Sequence, residues 1–293
     1  MPRRNTLRAK TFCPRGKIGN SILTREIFKN PLRIERVMKR IYWCEFPEKC
    51  NWKKIAGWLK HERITIYVAC TSRENYEQWK KKIHKYSENI EVNAWPVLSK
   101  EEGYWFSGFC TKEAIDELDQ YRGLKIKLDI EPPIPKKYST FSAWSWLWKN
   151  MFQEPDNTPY LRKKIKMLSR ESDIILSTFP LQDVILKRWG WIKDDRIKYN
   201  YMYYSTFIPL GLKSLYKHYF KRHFLPKHRD AYIAVGLIDT GVFGNEPIYN
   251  TPKQMKKDIQ FLRKEHVETL VFFTIEGISK RGEDWLYTSL EIS

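Results

Sequence analysis

Short runs of β-branched and aromatic residues alternate along this chain with longer amphipathic stretches, the pattern of repeated βα units around a parallel sheet. Eight runs predict strands: IYWCEF (41–46), ITIYVAC (64–70), IEVNAWPV (90–97), LKIKLDIE (124–131), DIILSTF (173–179), IKYNYMYY (197–204), AYIAVGLID (231–239) and TLVFFTIE (269–276). Between them lie helical segments such as ENYEQWKKKIHKY, YLRKKIKMLSR and LQDVILKRWG. In PKQMKKDIQFLRKEH, Thr251 is placed to cap, Pro252 opens the first turn, and Met255, Ile259, Phe261 and Leu262 form one apolar stripe. Eight βα units in 293 residues predict an α/β protein of the (β/α)8 TIM-barrel class. A doubly wound open sheet is the rival, but its Gly-rich first turn is missing: the residues after 46 read PEKCN.

Strand parity extends this picture. In LKIKLDIE the apolar set Leu124, Ile126, Leu128 and Ile130 must face the helices, which sends Lys125, Lys127, Asp129 and Glu131 inward. In IEVNAWPV the same rule sends Glu91, Asn93 and Trp95 inward. Interior charges need partners, so Glu91 is expected beside Lys125 or Lys127.

Reactive groups in such barrels come from the carboxyl ends of the strands. Asp129 and Glu131 on the fourth strand, Asp239 on the seventh, Glu276 on the eighth and Glu45 on the first are the acids placed to meet there. At ~3.3 Å per residue, Asp129 and Glu131 share one face with Cα atoms about 6.6 Å apart, so each perturbs the other. Such a pair keeps one acid protonated for donation while its partner stays charged. Glu131 is therefore the first catalytic candidate, Asp129 the second and Glu276 the third. The loop after the third strand, PVLSKEEGYWFSGF, adds Glu102, Tyr104 and Trp105. With Trp95, Glu45, Asp239 and Tyr204 they form the candidate binding set, because flat rings suit sugar C–H faces and carboxylates suit hydroxyls. Trp144, Trp146 and Trp148 are weaker candidates, their even spacing suiting helix packing equally well.

These segments carry a resemblance. GLKIKLDIE resembles the fourth-strand Asp-x-Glu motif of family 18 glycoside hydrolases, the chitinase-like barrels, and YNYMYYSTF is similar to their sixth-strand Met-x-Tyr segment. The resemblance covers two of eight strands and implies a TIM barrel in which Glu131 is the general acid, Asp129 its supporting acid, and Tyr204 or Tyr203 a substrate-orienting hydroxyl. Lys127 stands where that motif has a further Asp, and the third strand, NAWPVLS, lacks Ser-x-Gly-Gly.

Composition narrows the partners. Hydrophobic residues make up 42% and charged residues 30%, as in globular proteins, and no apolar run reaches the ~20 residues of a membrane helix. The net charge is +19, and residues 1–40 hold twelve Lys or Arg against two Glu. Residues 1–37 are read as a basic arm and 38–293 as the barrel. The charge favours an acidic carbohydrate, and the arm offers a nucleic acid contact as a less favoured partner. The amino end has no apolar leader, so a cytoplasmic location is expected.

Cys13, Cys44, Cys50, Cys70 and Cys110 show no CxxC spacing, and the six His fall on helices or their connections, so neither a metal site nor a cofactor is expected. Gly241, Gly244 and Gly277 follow the last two predicted strands but read as turns more readily than as a phosphate cradle. The leading expectation is a glycoside hydrolase-like enzyme working through carboxylates on a poly- or oligosaccharide; the alternative is a non-catalytic barrel that binds glycans or polyanions.

Overall fold

Eight parallel strands pair in chain order and the eighth closes on the first. They are β1 (Lys39–Cys44), β2 (Ile64–Cys70), β3 (Ile90–Pro96), β4 (Lys125–Asp129), β5 (Asp173–Thr178), β6 (Ile197–Tyr203), β7 (Tyr232–Gly236) and β8 (Thr269–Phe273). The computed structural model describes residues 38–134, 146, 149–153 and 155–291. The basic arm, Trp144 and Trp148 lie outside the described residues. The connecting helices used below are α1 (Trp52–Trp58), α2 (Arg73–His84), α3 (Lys112–Asp116), α4 (Thr158–Leu168), α5 (Asp183–Trp189), α6 (Lys213–Tyr219), α7 (Pro252–Lys264), α8 (Ile275–Arg281) and α9 (Glu283–Leu290). The fold is a (β/α)8 TIM barrel, and no described helix is long and apolar enough to cross a membrane.

Alternation along the strands divides the apolar residues into two cores. Ile90, Val92, Ala94, Ile126, Leu128 and Ile130 belong to the layer between strands and helices, as their parity requires. The opposite parity, with Ile41, Trp43, Tyr67, Trp95, Ile175, Met202, Ala234, Val271 and Phe273, fills the barrel. Inside it, Trp43 meets Tyr67 edge-on at 5.2 Å, and Trp95 packs 6.3 Å from Phe273. On α7, Met255, Ile259, Phe261 and Leu262 are all buried, and Thr251 occupies the cap position without a side-chain capping bond.

The expected partner of Glu91 is Lys125, at 2.8 Å. Both side chains are about half exposed, at 47% and 53%, because they sit at the amino ends of their strands rather than in the sealed interior. An ion pair so wet contributes only ~0–1 kcal/mol.

Where the loop after β3 crosses the start of α4, only a glycine fits. A Cβ built on Gly108 would stand 2.8 Å from both the Cα and the backbone N of Thr158, and Gly108 N–H donates to Trp189 O at 2.9 Å. Gly108→Ala is expected to cost about 1–3 kcal/mol, as overpacking does, lowering Tm by roughly 2–4 °C per kcal/mol in thermal unfolding. An unchanged Tm would mean that the two loops part freely.

Candidate active site

The carboxyl ends of the strands surround a narrow cavity of about 70 Å³. Its walls hold four carboxyl groups, Glu45, Asp129, Glu131 and Glu246, together with Lys127 and a shell of rings that includes Trp95, Trp105, Tyr204, Phe243 and Phe273. Trp105 and Phe243, in edge contact at 5.9 Å, are among the rings that line it.

Asp129 and Glu131 reach this cavity by strand parity, and both are almost fully buried at 2% exposure. The chain beyond β4 is pinned on both sides. Ile130 N–H donates to Ser177 O at 2.9 Å, and Glu131 N–H donates to Phe106 O at 3.2 Å, which fixes the direction of the Glu131 side chain.

Below them Lys127, 1% exposed, donates to Asp129 Oδ2 at 2.6 Å. Its ammonium also stands 3.2 Å from the Trp95 ring centroid and 5.0 Å from that of Trp43. Burial pulls the Lys127 pKa below the usual lysine value despite the attraction of Asp129. The second Asp129 oxygen, Oδ1, is buried and has no hydrogen-bond partner among the described residues.

Burial, and then the neighbouring Asp129 charge, hold the Glu131 carboxyl well above the usual range, with Lys127 pulling only partly the other way. A carboxyl whose folded pKa is raised binds its proton more tightly folded than unfolded, so its contribution to stability falls as pH rises above ~4.5. The Tm of Glu131→Gln relative to wild type is thus expected to improve steadily from pH 5 to pH 8 in a pH series. Parallel curves would show that Glu131 ionises as freely folded as unfolded.

Glu45 lies just past β1, and burial with the nearby Glu276 charge pushes its pKa up to about 8. The Tyr104 hydroxyl and Lys127 offset this only in part. Tyr104 is buried at a left-handed φ of 68°, a conformation that costs a side-chain-bearing residue of order 1–3 kcal/mol.

Three acids expected at the mouth do not line the cavity. Glu276 is in the first turn of α8, because Thr274 ends the β8 run by accepting the Gly277 N–H at 3.2 Å and so caps a helix. It does not line the cavity; its Oε1 accepts the backbone N–H groups of Glu45 and Phe46 at 3.0 and 3.1 Å. Burial raises its pKa to about 7. Asp239 follows β7 by three residues, since that strand stops at Gly236, and it pairs with Lys280 of α8 at 3.0 Å. Glu102 is exposed and accepts from Ser99 Oγ at 2.8 Å, closing a surface turn. Tyr203 turns outward, into the helix layer against Tyr216 and Phe220, whereas Tyr204 lines the cavity. Trp146 donates to Pro133 O at 2.8 Å, a packing contact.

Two cavity residues had no functional reading from sequence. Lys127 carried only its inward parity. Glu246 sits in the irregular stretch after β7; its Oε1 accepts the Phe243 N–H at 3.0 Å and its buried Oε2 has no hydrogen-bond partner among the described residues. Gly241 lets Glu45 and Glu246 approach each other, since a Cβ there would stand 2.9 Å from Glu45 Oε2 and 3.0 Å from Glu246 Oε1. A larger hollow of about 710 Å³ opens at the amino ends of β2 to β4, lined by Arg63, Lys80, Glu88 and Glu91 among others. It lies at the end of the barrel opposite the clustered acids, where conservation of fold rather than chemistry is the rule for this architecture.

Fold and site together define a closed α/β barrel with buried carboxyl groups at the carboxyl ends of its strands, the architecture of TIM-barrel enzymes. No family model and no curated protein sequence matches the chain. Among solved structures it is similar to the PgaB (BpsB) glycoside hydrolase domain from Bordetella bronchiseptica, with a TM-score of 0.51 and 10% identity over 86% of this chain and 98% of that one. It also matches a truncated 3-deoxy-D-arabino-heptulosonate 7-phosphate synthase from Thermotoga maritima, with TM-score 0.42, 10% identity, and 86% of this chain and 83% of that one covered. At 10% identity the likeness to the PgaB domain is one of fold.

Proposed function

We propose that this barrel is a glycoside hydrolase-like enzyme acting on a poly- or oligosaccharide, with Glu131 as the general acid. The observation that carries the reading is a buried Glu131, its pKa raised by burial and the Asp129 charge, beside an ion-paired Asp129 in the cavity at the carboxyl ends of the strands. A protonated Glu131 gives its proton to the glycosidic oxygen as the C–O bond breaks, and the leaving sugar departs as an alcohol. Positive charge grows on the ring carbon as that bond breaks, where the Asp129 carboxylate steadies it. Water then bonds to that carbon and gives up a proton that restores the Glu131 acid. Glu45 and Glu246 are suited to accept sugar hydroxyls, and Tyr204 and Trp105 to face the ring. The fourth-strand Asp-x-Glu resemblance to the chitinase-like barrels supports these roles. Lys127 in place of a further interior acid, and the missing Ser-x-Gly-Gly, argue against acetamido-assisted chemistry.

The net charge of +19 favours an acidic polymer as substrate through long-range attraction. A barrel that only binds glycans is the second reading, favoured by the narrowness of the cavity and by the neutralisation of Asp129 by Lys127. Incubation with a panel of neutral and anionic glycans separates the two. Chain shortening, read by mass spectrometry, is the expected result. Retention on a polymer without shortening establishes the second reading.

A further inference from the structure

Behind the acid cluster, three ligand-type side chains converge that the proposed chemistry does not use. Cys44 ends β1, Cys50 follows six residues later, and Glu276 projects from the first turn of α8; their ligand atoms all lie within 4.8 Å of one another. The two sulfurs are 3.7 Å apart. A tetrahedral site with Zn–S bonds of ~2.3 Å requires sulfurs about 3.8 Å apart, so the pair already has the spacing of two thiolates on one ion. We infer that Cys44, Cys50 and Glu276 bind one divalent zinc-like cation, with solvent as the fourth ligand on the half-buried Cys50 side.

The local chain is built to hold this geometry. A short turn at Pro47–Lys49 folds Cys50 back under Cys44, closed by Lys49 N–H donating to Phe46 O at 2.9 Å and Cys50 N–H to Pro47 O at 3.3 Å. Asn51 N–H then donates to Ser279 Oγ of α8 at 3.0 Å, tying the turn to the helix that carries Glu276. One Glu276 oxygen is fixed by two backbone N–H groups, the arrangement by which outer hydrogen bonds orient a metal ligand. The other is buried and without a hydrogen-bond partner among the described residues. Binding displaces the two thiol protons, forms two metal–sulfur bonds and one metal–oxygen bond, and transfers no electrons. The ion would clip the β1–β8 closure of the barrel and hold the backbone of Glu45 from behind. The inference does not depend on what the cavity cleaves.

The test uses tag-free, fully reduced protein titrated with Co²⁺ as a spectroscopic substitute. Thiolate-to-cobalt charge-transfer absorption saturating at one ion per chain is expected, with Zn²⁺ displacing it. Cys50→Ser should abolish the band and weaken Zn²⁺ by about 100-fold or more, beyond the 10–100-fold that outer-shell losses cost. Cys110→Ser, a buried thiol elsewhere, should leave the band intact, and circular dichroism checks that each variant is folded. No band with both thiols reduced, or a band that survives Cys50→Ser, overturns the inference. So does a mass 2 Da low with loss of two free thiols, which would make the pair a disulfide.

Discussion

Glu131→Gln is expected to lower the rate of glycan cleavage by about 10²–10⁴-fold, the range that general acid catalysis contributes, while the protein remains folded and still binds the glycan. The variant keeps the size of the side chain and its place against Phe106, but has no acidic proton to give. The loss should be greatest where wild-type Glu131 holds its proton, and burial next to Asp129 extends that range above the usual carboxylate pKa. Kinetics over a pH series check both points: wild-type cleavage should decline as pH rises through the raised Glu131 pKa. Full activity in the variant removes this residue from the chemistry.

Lys127→Met should cause the second large effect, on stability. The side chain is sealed under Trp95 and Trp43 and is the ion-pair partner of Asp129. Removing one member of a buried pair leaves the other charge uncompensated, at a cost of about 3–5 kcal/mol. For a domain of this size that lowers Tm by on the order of 10 °C. Combining Lys127→Met with Asp129→Asn, which leaves no charge, should restore at least half of the loss. Thermal unfolding of the two single variants and the double variant measures this coupling. Additive losses would show that Lys127 acts through its ring contacts rather than through Asp129.

Period-two alternation is what makes the barrel legible in the sequence. One buried face and one lined face per strand fix which residues look inward, so Asp129, Glu131, Lys127 and Trp95 fell where parity placed them. The same rule paired Glu91 with Lys125. Strand ends were less legible, since apolar residues continue past the last ladder bond. TLVFFTIE reads on through Thr274, but that residue caps a helix, and Glu276 in its first turn bonds the Glu45 and Phe46 backbone instead of lining the cavity. AYIAVGLID likewise runs past Gly236, where β7 stops, and Asp239 beyond it pairs with Lys280. Glu246 carries no period at all: it reaches the cavity through an irregular loop, where only tertiary packing decides direction. The Cys44–Cys50 pair escaped a spacing search because its third member comes from 226 residues further on.

The cavity also explains how so much like charge can be stored. Four carboxyl groups and one ammonium line the same cavity, so full ionisation would set the acids against one another. Protonation relieves this: Glu131 and Glu45 both have raised pKa values, while Lys127 neutralises Asp129. A raised Glu131 pKa beside an Asp129 paired with Lys127 suits acid catalysis beside a charged stabiliser.

The most direct measurement is a crystal structure of Glu131→Gln with a cleavable oligosaccharide. The account predicts a sugar ring between Trp105 and Tyr204, with a glycosidic oxygen about 2.6–3.2 Å from the side chain at position 131. A glycan seated only in the hollow at the amino ends of the strands, with position 131 still sealed beneath its rings, would contradict it.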